Sequence, residues 1–129
     1  MVRAKRRLSG RVLLVDDETA VRGFMQEMLA GWGLTVTTAA HAGEALSIFE
    51  EKEGAFDLVI TDLAMPIKTG IELAAELRAR CEDVPIILCS GYATDDAAFE
   101  AERYGIDTIL GKPIEPAELR SAVEAALPA

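Results

Sequence analysis

Four short runs of apolar residues along the chain each stop at a polar residue with chemistry to offer. Val12-Leu13-Leu14-Val15 ends at Asp16-Asp17, and Phe56-Asp57-Leu58-Val59-Ile60-Thr61 ends at Asp62. Val84-Pro85-Ile86-Ile87-Leu88-Cys89 ends at Ser90, and Lys112 follows Thr108-Ile109-Leu110. Near-continuous apolar runs of this length read as strands covered on both faces, as in a parallel sheet. Between them the apolar residues fall at three-to-four spacing, the period of a helix. Val21, Phe24, Met25, Met28, Leu29 and Trp32 mark one face of a first helix that stops near Gly31 and Gly33. Leu34 to Thr38 is β-branched and reads as a strand. Ala42, Ala45, Leu46 and Phe49 mark a second helix ending before Gly54, and Ile71, Leu73, Ala74 and Leu77 a third. Thr94-Asp95-Asp96 has the polar and acidic character of a helix start, opening an Ala-rich helix that ends at Gly105. Ile106 to Leu110 is the last strand. Pro116 suits the first position of a final helix whose inner face is Leu119, Ala122, Val123, Ala126 and Leu127.

Strand and helix thus alternate about five times, with no internal repeat or low-complexity tract. Such alternation needs right-handed crossovers and helices on both faces of a parallel sheet. The expected architecture is a flavodoxin-like (βα)5 three-layer fold with strand order 2-1-3-4-5. Ligands of such sheets lie outside the carboxyl ends of the strands, at the switch point between strands 1 and 3. Asp16, Asp17 and Asp62 follow those two strands, and Ser90 and Lys112 end their neighbours. Three carboxylates, a hydroxyl and an ammonium suit a divalent cation and a phosphoryl group. Carboxylates so crowded repel, so without a cation at least one should resist ionisation. An ionised carboxylate is itself a nucleophile toward phosphorus and needs no base.

Composition bounds the rest. The 129 residues suit one domain with a real core, and 27% of them are charged, as in ordinary soluble proteins. Charge is uneven: Arg3, Lys5, Arg6, Arg7 and Arg11 precede position 12, leaving 8 basic against 22 acidic residues beyond it. Residues 1–10 read as a basic arm or linker and 11–129 as the domain. An acidic body of this kind is a poor partner for nucleic acid, whose phosphates need clustered Lys and Arg. No stretch approaches the ~20 apolar residues of a membrane span, and no apolar segment precedes Asp16 as a signal peptide requires. Cys81 and Cys89 have no ligand-like spacing and read as reduced thiols of a cytoplasmic protein. His41 reads as a surface or helix-cap residue, and Met25, Met28, Trp32 and Phe49 as core.

Residues 11–127 resemble the receiver domain of two-component response regulators. The resemblance rests on Val15-Asp16-Asp17-Glu18, on Thr61-Asp62-Leu63-Ala64-Met65-Pro66 with Gly70, on Ser90-Gly91 and on Lys112-Pro113. Each motif alone is weak; all four, in order and at strand ends, are specific. The resemblance implies that Asp62 is the phosphoacceptor. It implies that Asp17, Asp62 and the backbone carbonyl of Ala64 ligate Mg²⁺ (with Mn²⁺ as a substitute), and that Asp16 acts through a water. Ser90 and Lys112 would meet the phosphoryl oxygens, and the Lys112–Pro113 bond would be cis. The donor would be the phosphohistidine of a histidine kinase or histidine phosphotransfer domain. Ala64 and Tyr92 stand where the family places the path of the hydrolytic water.

Two departures concern the output. Receivers commonly carry Tyr or Phe where this chain has Ile109, and often Phe where it has Ile114. Since the ring at the first position usually swings as the Ser/Thr hydroxyl moves, the switch through Ser90 and Ile109 is expected to be muted, in a monomer or weak dimer. The stretch Ile87-Leu88-Cys89-Ser90-Gly91-Tyr92 looks like a receiver at the C-terminal end of a hybrid histidine kinase, and the basic arm from Arg3 to Arg11 would suit a linker. A stand-alone regulator is the other origin. Two rival functions remain. A phosphohydrolase of the haloacid-dehalogenase type would want Asp-x-Asp after the first strand, where this chain has adjacent aspartates. A receiver-like module that binds without phosphorylation would normally have lost a pocket residue.

Overall fold

The computed structural model describes residues 7–91 and 102–127. Its five strands are β1 (Arg11–Val15), β2 (Thr35–Ala39), β3 (Leu58–Asp62), β4 (Ile86–Ser90) and β5 (Thr108–Gly111). They pair in parallel in the order β2-β1-β3-β4-β5, the order expected from the alternation. Register aligns the strand ends: Val15 stands opposite Ala39 and Thr61, Asp62 opposite Cys89, and Ser90 opposite Gly111. The residues that end each run therefore share one edge of the sheet.

Successive side chains of a strand point to opposite faces, and both faces are covered. Leu13, Val15, Val59, Ile86 and Leu88 pack against Ala42, Ala45, Leu46, Phe49, Leu73, Ala74 and Leu77. Those residues come from α2 (Ala42–Glu51) and α3 (Gly70–Arg80). Val12, Leu14, Leu58, Ile60, Ile87 and Cys89 pack instead against Met25, Leu29, Leu119 and Val123. These belong to α1 (Thr19–Gly31) and to the last helix, α4 (Pro116–Ala126). The result is three layers, and each large aliphatic side chain so covered contributes roughly 1.5–3 kcal/mol.

Local signals set the helix starts. His41 caps α2, its Nδ1 accepting from the Glu44 amide at 3.2 Å, as its position predicts. Thr69 and Glu72 form a reciprocal capping box at α3, and Pro116 opens α4. The Ala-rich helix start at Thr94-Asp95-Asp96 and the side chain of Tyr92 lie outside the described residues.

Three expectations shift. β2 runs one residue later than the β-branched stretch implies, because Ala39 pairs with Val15 while Leu34 turns into the core. Phe24 is 56% exposed rather than buried. It sits about 100° round the helix from Met25, at the margin of the apolar stripe. Leu8, read as part of an arm, is 4% exposed and joins the core beside Trp32, its amide donating to the Trp32 carbonyl at 2.7 Å. Gly33 makes room for that segment. Its φ is +111°, and a Cβ there would stand 2.2 Å from the Leu8 carbonyl oxygen. Among the described residues, packing therefore begins at Leu8, ahead of the strand.

Candidate functional site

The turn after β1 is fixed by hydrogen bonds that converge on Asp16. Its amide donates to the Ala39 carbonyl at 3.1 Å, its Oδ1 accepts from the Glu18 amide at 2.9 Å, and its carbonyl accepts from Arg22 Nη1 at 2.7 Å. Asp16 is 2% exposed, whereas the next residue, Asp17, faces solvent. Across the switch point Asp62 ends β3 at 4% exposure. One oxygen from each of Asp16, Asp17 and Asp62 falls within 4.8 Å of the others. Oxygens bound to one Mg²⁺ at ~2.0–2.1 Å stand at most ~4.2 Å apart, so the three carboxylates nearly frame such an ion already. The all-oxygen donor set also suits Mg²⁺ or Mn²⁺ over softer metals.

Lys112 closes the crevice from β5. Its Nζ lies 3.1 Å from Asp62 Oδ1 and 3.4 Å from Asp16 Oδ2, and its amide donates to the Ser90 carbonyl at 2.9 Å. The Lys112–Pro113 bond is cis. Ser90 ends β4 and is buried next to Asp62 and Lys112 along the strand ends. Ala64 is exposed two residues beyond Asp62. Ile109 is half-buried against the α2–α3 core rather than in the crevice.

Electrostatics follow from burial first. Desolvation raises the Asp62 carboxyl above its ordinary range, against the hydrogen bond and charge of Lys112, and Asp16 and Asp17 add smaller upward pushes. Crowding was the cause expected from the sequence; burial is the larger one. For Lys112 burial opposes the charge, yet the bond to Asp62 and the charges of Asp16 and Asp62 outweigh it and hold the ammonium above its ordinary range. Burial pushes the neighbouring Cys89 thiol up to about 12, so it offers no thiolate to compete with the carboxylates. Arg22, on the Asp16 carbonyl, escaped the sequence reading, and Glu18, read only as part of the first motif, has its Oε1 3.8 Å from Lys112 Nζ.

Comparison with known proteins agrees with this geometry. The family model described as the response regulator receiver domain matches residues 12–124. The sensor kinase CckA of Brucella abortus is 40% identical over 116 residues, which is 90% of this chain but 12% of that protein. The receiver domain of the hybrid histidine kinase CckA has a solved structure that superposes with a TM-score of 0.78 at 37% identity, covering 92% of this chain and all of that one. The response regulator TrrA of Thermotoga maritima, solved in complex with Mg²⁺ and BeF, gives 0.81 at 34% identity over 91% of this chain and 98% of that one. The chain belongs to the response regulator receiver domain family. Its aspartate cluster is poised for Mg-dependent phosphotransfer, a reaction the domain carries out on itself rather than on a substrate it turns over.

Proposed function

We propose that Asp62 takes a phosphoryl group from the phosphohistidine of a histidine kinase or histidine phosphotransfer domain. The observation that carries this is a single ammonium, Lys112, shared by Asp62 and Asp16 at the mouth of a three-carboxylate cluster. In the step, an Oδ of ionised Asp62 forms a bond to phosphorus as the P–N bond to the donor imidazole breaks, and the imidazole nitrogen keeps the electron pair. Lys112 moves its hydrogen bonds from the carboxylate to the phosphoryl oxygens, and Ser90 supplies a hydroxyl on the same side. Asp17, Asp62 and the Ala64 carbonyl would hold Mg²⁺ directly and Asp16 through a water; the ion, when bound, supplies charge neutralisation for the phosphoryl group. An aspartyl phosphate results, and hydrolysis returns it to Asp62.

The rest of this reading concerns partner and output. An apolar groove of about 310 Å³, lined by Ala20, Val21, Phe24, Met25, Pro113 and Ile114, opens beside Lys112. Phe24, exposed on this groove beside Lys112, would meet the partner's phosphohistidine-bearing helix. We assign the domain to the cytoplasmic side, as a receiver of a hybrid kinase, with residues before Leu8 as linker. No helix among the described residues is long and apolar enough to cross a membrane. The test is turnover: with acetyl phosphate and Mg²⁺, intact mass should show one phosphoryl group per chain and then stop. Rapid phosphate release with no accumulating phosphorylated chain would support the dehalogenase-type hydrolase instead, and neither uptake nor release would support the binding module.

Three expected outcomes follow the assigned roles. Asp17→Asn should weaken Mg²⁺ about tenfold or more, and Asp16→Asn less, because only Asp17 is a direct ligand in this reading. Calorimetry is the suitable measurement, since Trp32 caps the far end of the 13-residue α1, about 20 Å from its start. Equal losses would remove the distinction between them. Ala64→Asn should shorten the phosphoryl lifetime several-fold, since an amide at that exposed position can orient water where a methyl cannot; a lifetime equal to or longer than that of the parent would refute the assignment of Ala64 and Tyr92 to water access. Ile109, stiff at χ1, should not swing as a ring does. Sedimentation with and without beryllofluoride and Mg²⁺ should therefore show a monomer or weak dimer in both states, and a clean shift to dimer on activation would reject the muted switch.

A further inference from the structure

Lys112 Nζ faces a third carboxylate that the phosphotransfer scheme leaves unused. Asp62 and Asp16 lie at 3.1 and 3.4 Å, and Glu18 Oε1 reaches in from the rim at 3.8 Å. Glu18 is not part of the three-aspartate cluster. Once Asp62 carries a phosphoryl group and Asp16 turns toward a cation, Glu18 is the carboxylate of this trio still free to hold the ammonium. A second observation singles it out. Glu18 occupies the N-cap position of α1, where a side chain usually accepts from the helix backbone, yet it makes no such bond. Its amide donates instead to Asp16 Oδ1 at 2.9 Å, which ties the backbone of residue 18 to the crevice, while its side chain reaches Lys112.

We propose that Glu18 is a positioning residue for Lys112: it holds the ammonium at the rim and competes with the phosphoryl oxygens for it. This rests on the reading of Asp62 as phosphoacceptor. Glu18 is 63% exposed, so the contact is weak and screened. Exposed ion pairs amount to ~0.2–1 kcal/mol, which corresponds to changes of up to about fivefold in rate or affinity. The sign is fixed by the competition. Releasing Lys112 from Glu18 makes it more available to the phosphoryl group, so phosphorylation should speed up and beryllofluoride should bind more tightly.

The rival explanation is that any negative charge at the rim repels an anionic donor, without acting through Lys112. Two substitutions separate them. Glu18→Gln removes the charge; Glu18→Asp keeps it but withdraws it by one methylene, to a length that favours capping α1 instead. Phosphorylation by acetyl phosphate with Mg²⁺, followed as a function of donor concentration, and beryllofluoride affinity are measured for both variants and the parent chain. Both variants are expected to react about two- to fivefold faster at saturating donor and to bind beryllofluoride more tightly, with Mg²⁺ affinity unchanged. Unchanged rates in Glu18→Gln overturn the proposal. So does a faster reaction confined to Glu18→Gln, with Glu18→Asp matching the parent, because charge alone would then account for the effect. A fall in Mg²⁺ affinity of tenfold would make Glu18 a metal ligand and also overturn it. If the parent chain itself takes up no phosphoryl group, the phosphoacceptor reading fails and takes this inference with it; if the parent is phosphorylated and the variants match it, only the inference fails.

Discussion

Asp62→Asn is expected to reduce phosphorylation by acetyl phosphate to background while leaving the fold intact. Asn keeps the shape of the side chain but loses the anionic oxygen that attacks phosphorus, and with it one charge of the cation site. The fold should tolerate the change because Asp62 is buried at 4% exposure with its carboxyl raised by desolvation, so removing its charge relieves a cost. Lys112 keeps Asp16 at 3.4 Å and Glu18 at 3.8 Å, and is not left without a counter-charge. Circular dichroism should overlay that of the parent chain. Retention of hydroxylamine-sensitive phosphate by the variant would show that another residue is the acceptor.

Gly70→Ala is expected to cost stability and phosphorylation together, from a single methyl group beside the site. Gly70 opens α3 against the end of β3, and a Cβ there would lie 2.2 Å from the Asp62 carbonyl oxygen and 2.8 Å from Leu88 Cδ1. The first obstacle is backbone at the end of a central strand and cannot rotate away. Overpacking of this kind costs about 1–3 kcal/mol or somewhat more. Relief comes by moving the end of β3 at Asp62 and the β3–α3 loop that carries Ala64, so phosphorylation should slow as well. Gly23 in α1 is the control: nothing lies within 4 Å of a Cβ there, and Ala in a helix interior is favourable by up to ~1 kcal/mol. Thermal unfolding should separate the two by several degrees in opposite directions. A Gly70→Ala chain as stable as the parent would mean the loop yields more easily than its packing indicates.

The sheet and the crevice were legible because their signals are local. Apolar runs covered on both faces look alike in sequence and structure, and each ends at a residue whose position on the sheet edge follows from topology. His41 and Pro116 could be read as helix-start residues for the same reason: capping chemistry is set within four residues. What sequence did not yield depends on contacts between distant segments. Leu8 stands among basic residues and looks like part of an arm until the Trp32 carbonyl and Gly33 receive it. Phe24 shares the helical period of Met25 and Met28, and only the groove beside Lys112 shows that its ring stays outside. Nothing in the sequence singles out Arg22, and Glu18 carries no role there beyond its motif; their reach to Asp16 and Lys112 needs the turn after β1 and the end of β5 in place. The origin of the high Asp62 carboxyl was also half-legible, since three adjacent acids can be counted but burial cannot.

The measurement closest to the central claim is chemical trapping of the acceptor. The chain would be phosphorylated with acetyl phosphate and Mg²⁺, reduced with sodium borohydride and mapped by peptide mass. Borohydride reduces an aspartyl phosphate to the alcohol, so homoserine is expected at position 62 and at no other carboxylate, in proportion to the phosphoryl group taken up. Homoserine at Asp16 or Asp17, or phosphorylated protein with no reduced residue at 62, would contradict the assignment of Asp62 as phosphoacceptor.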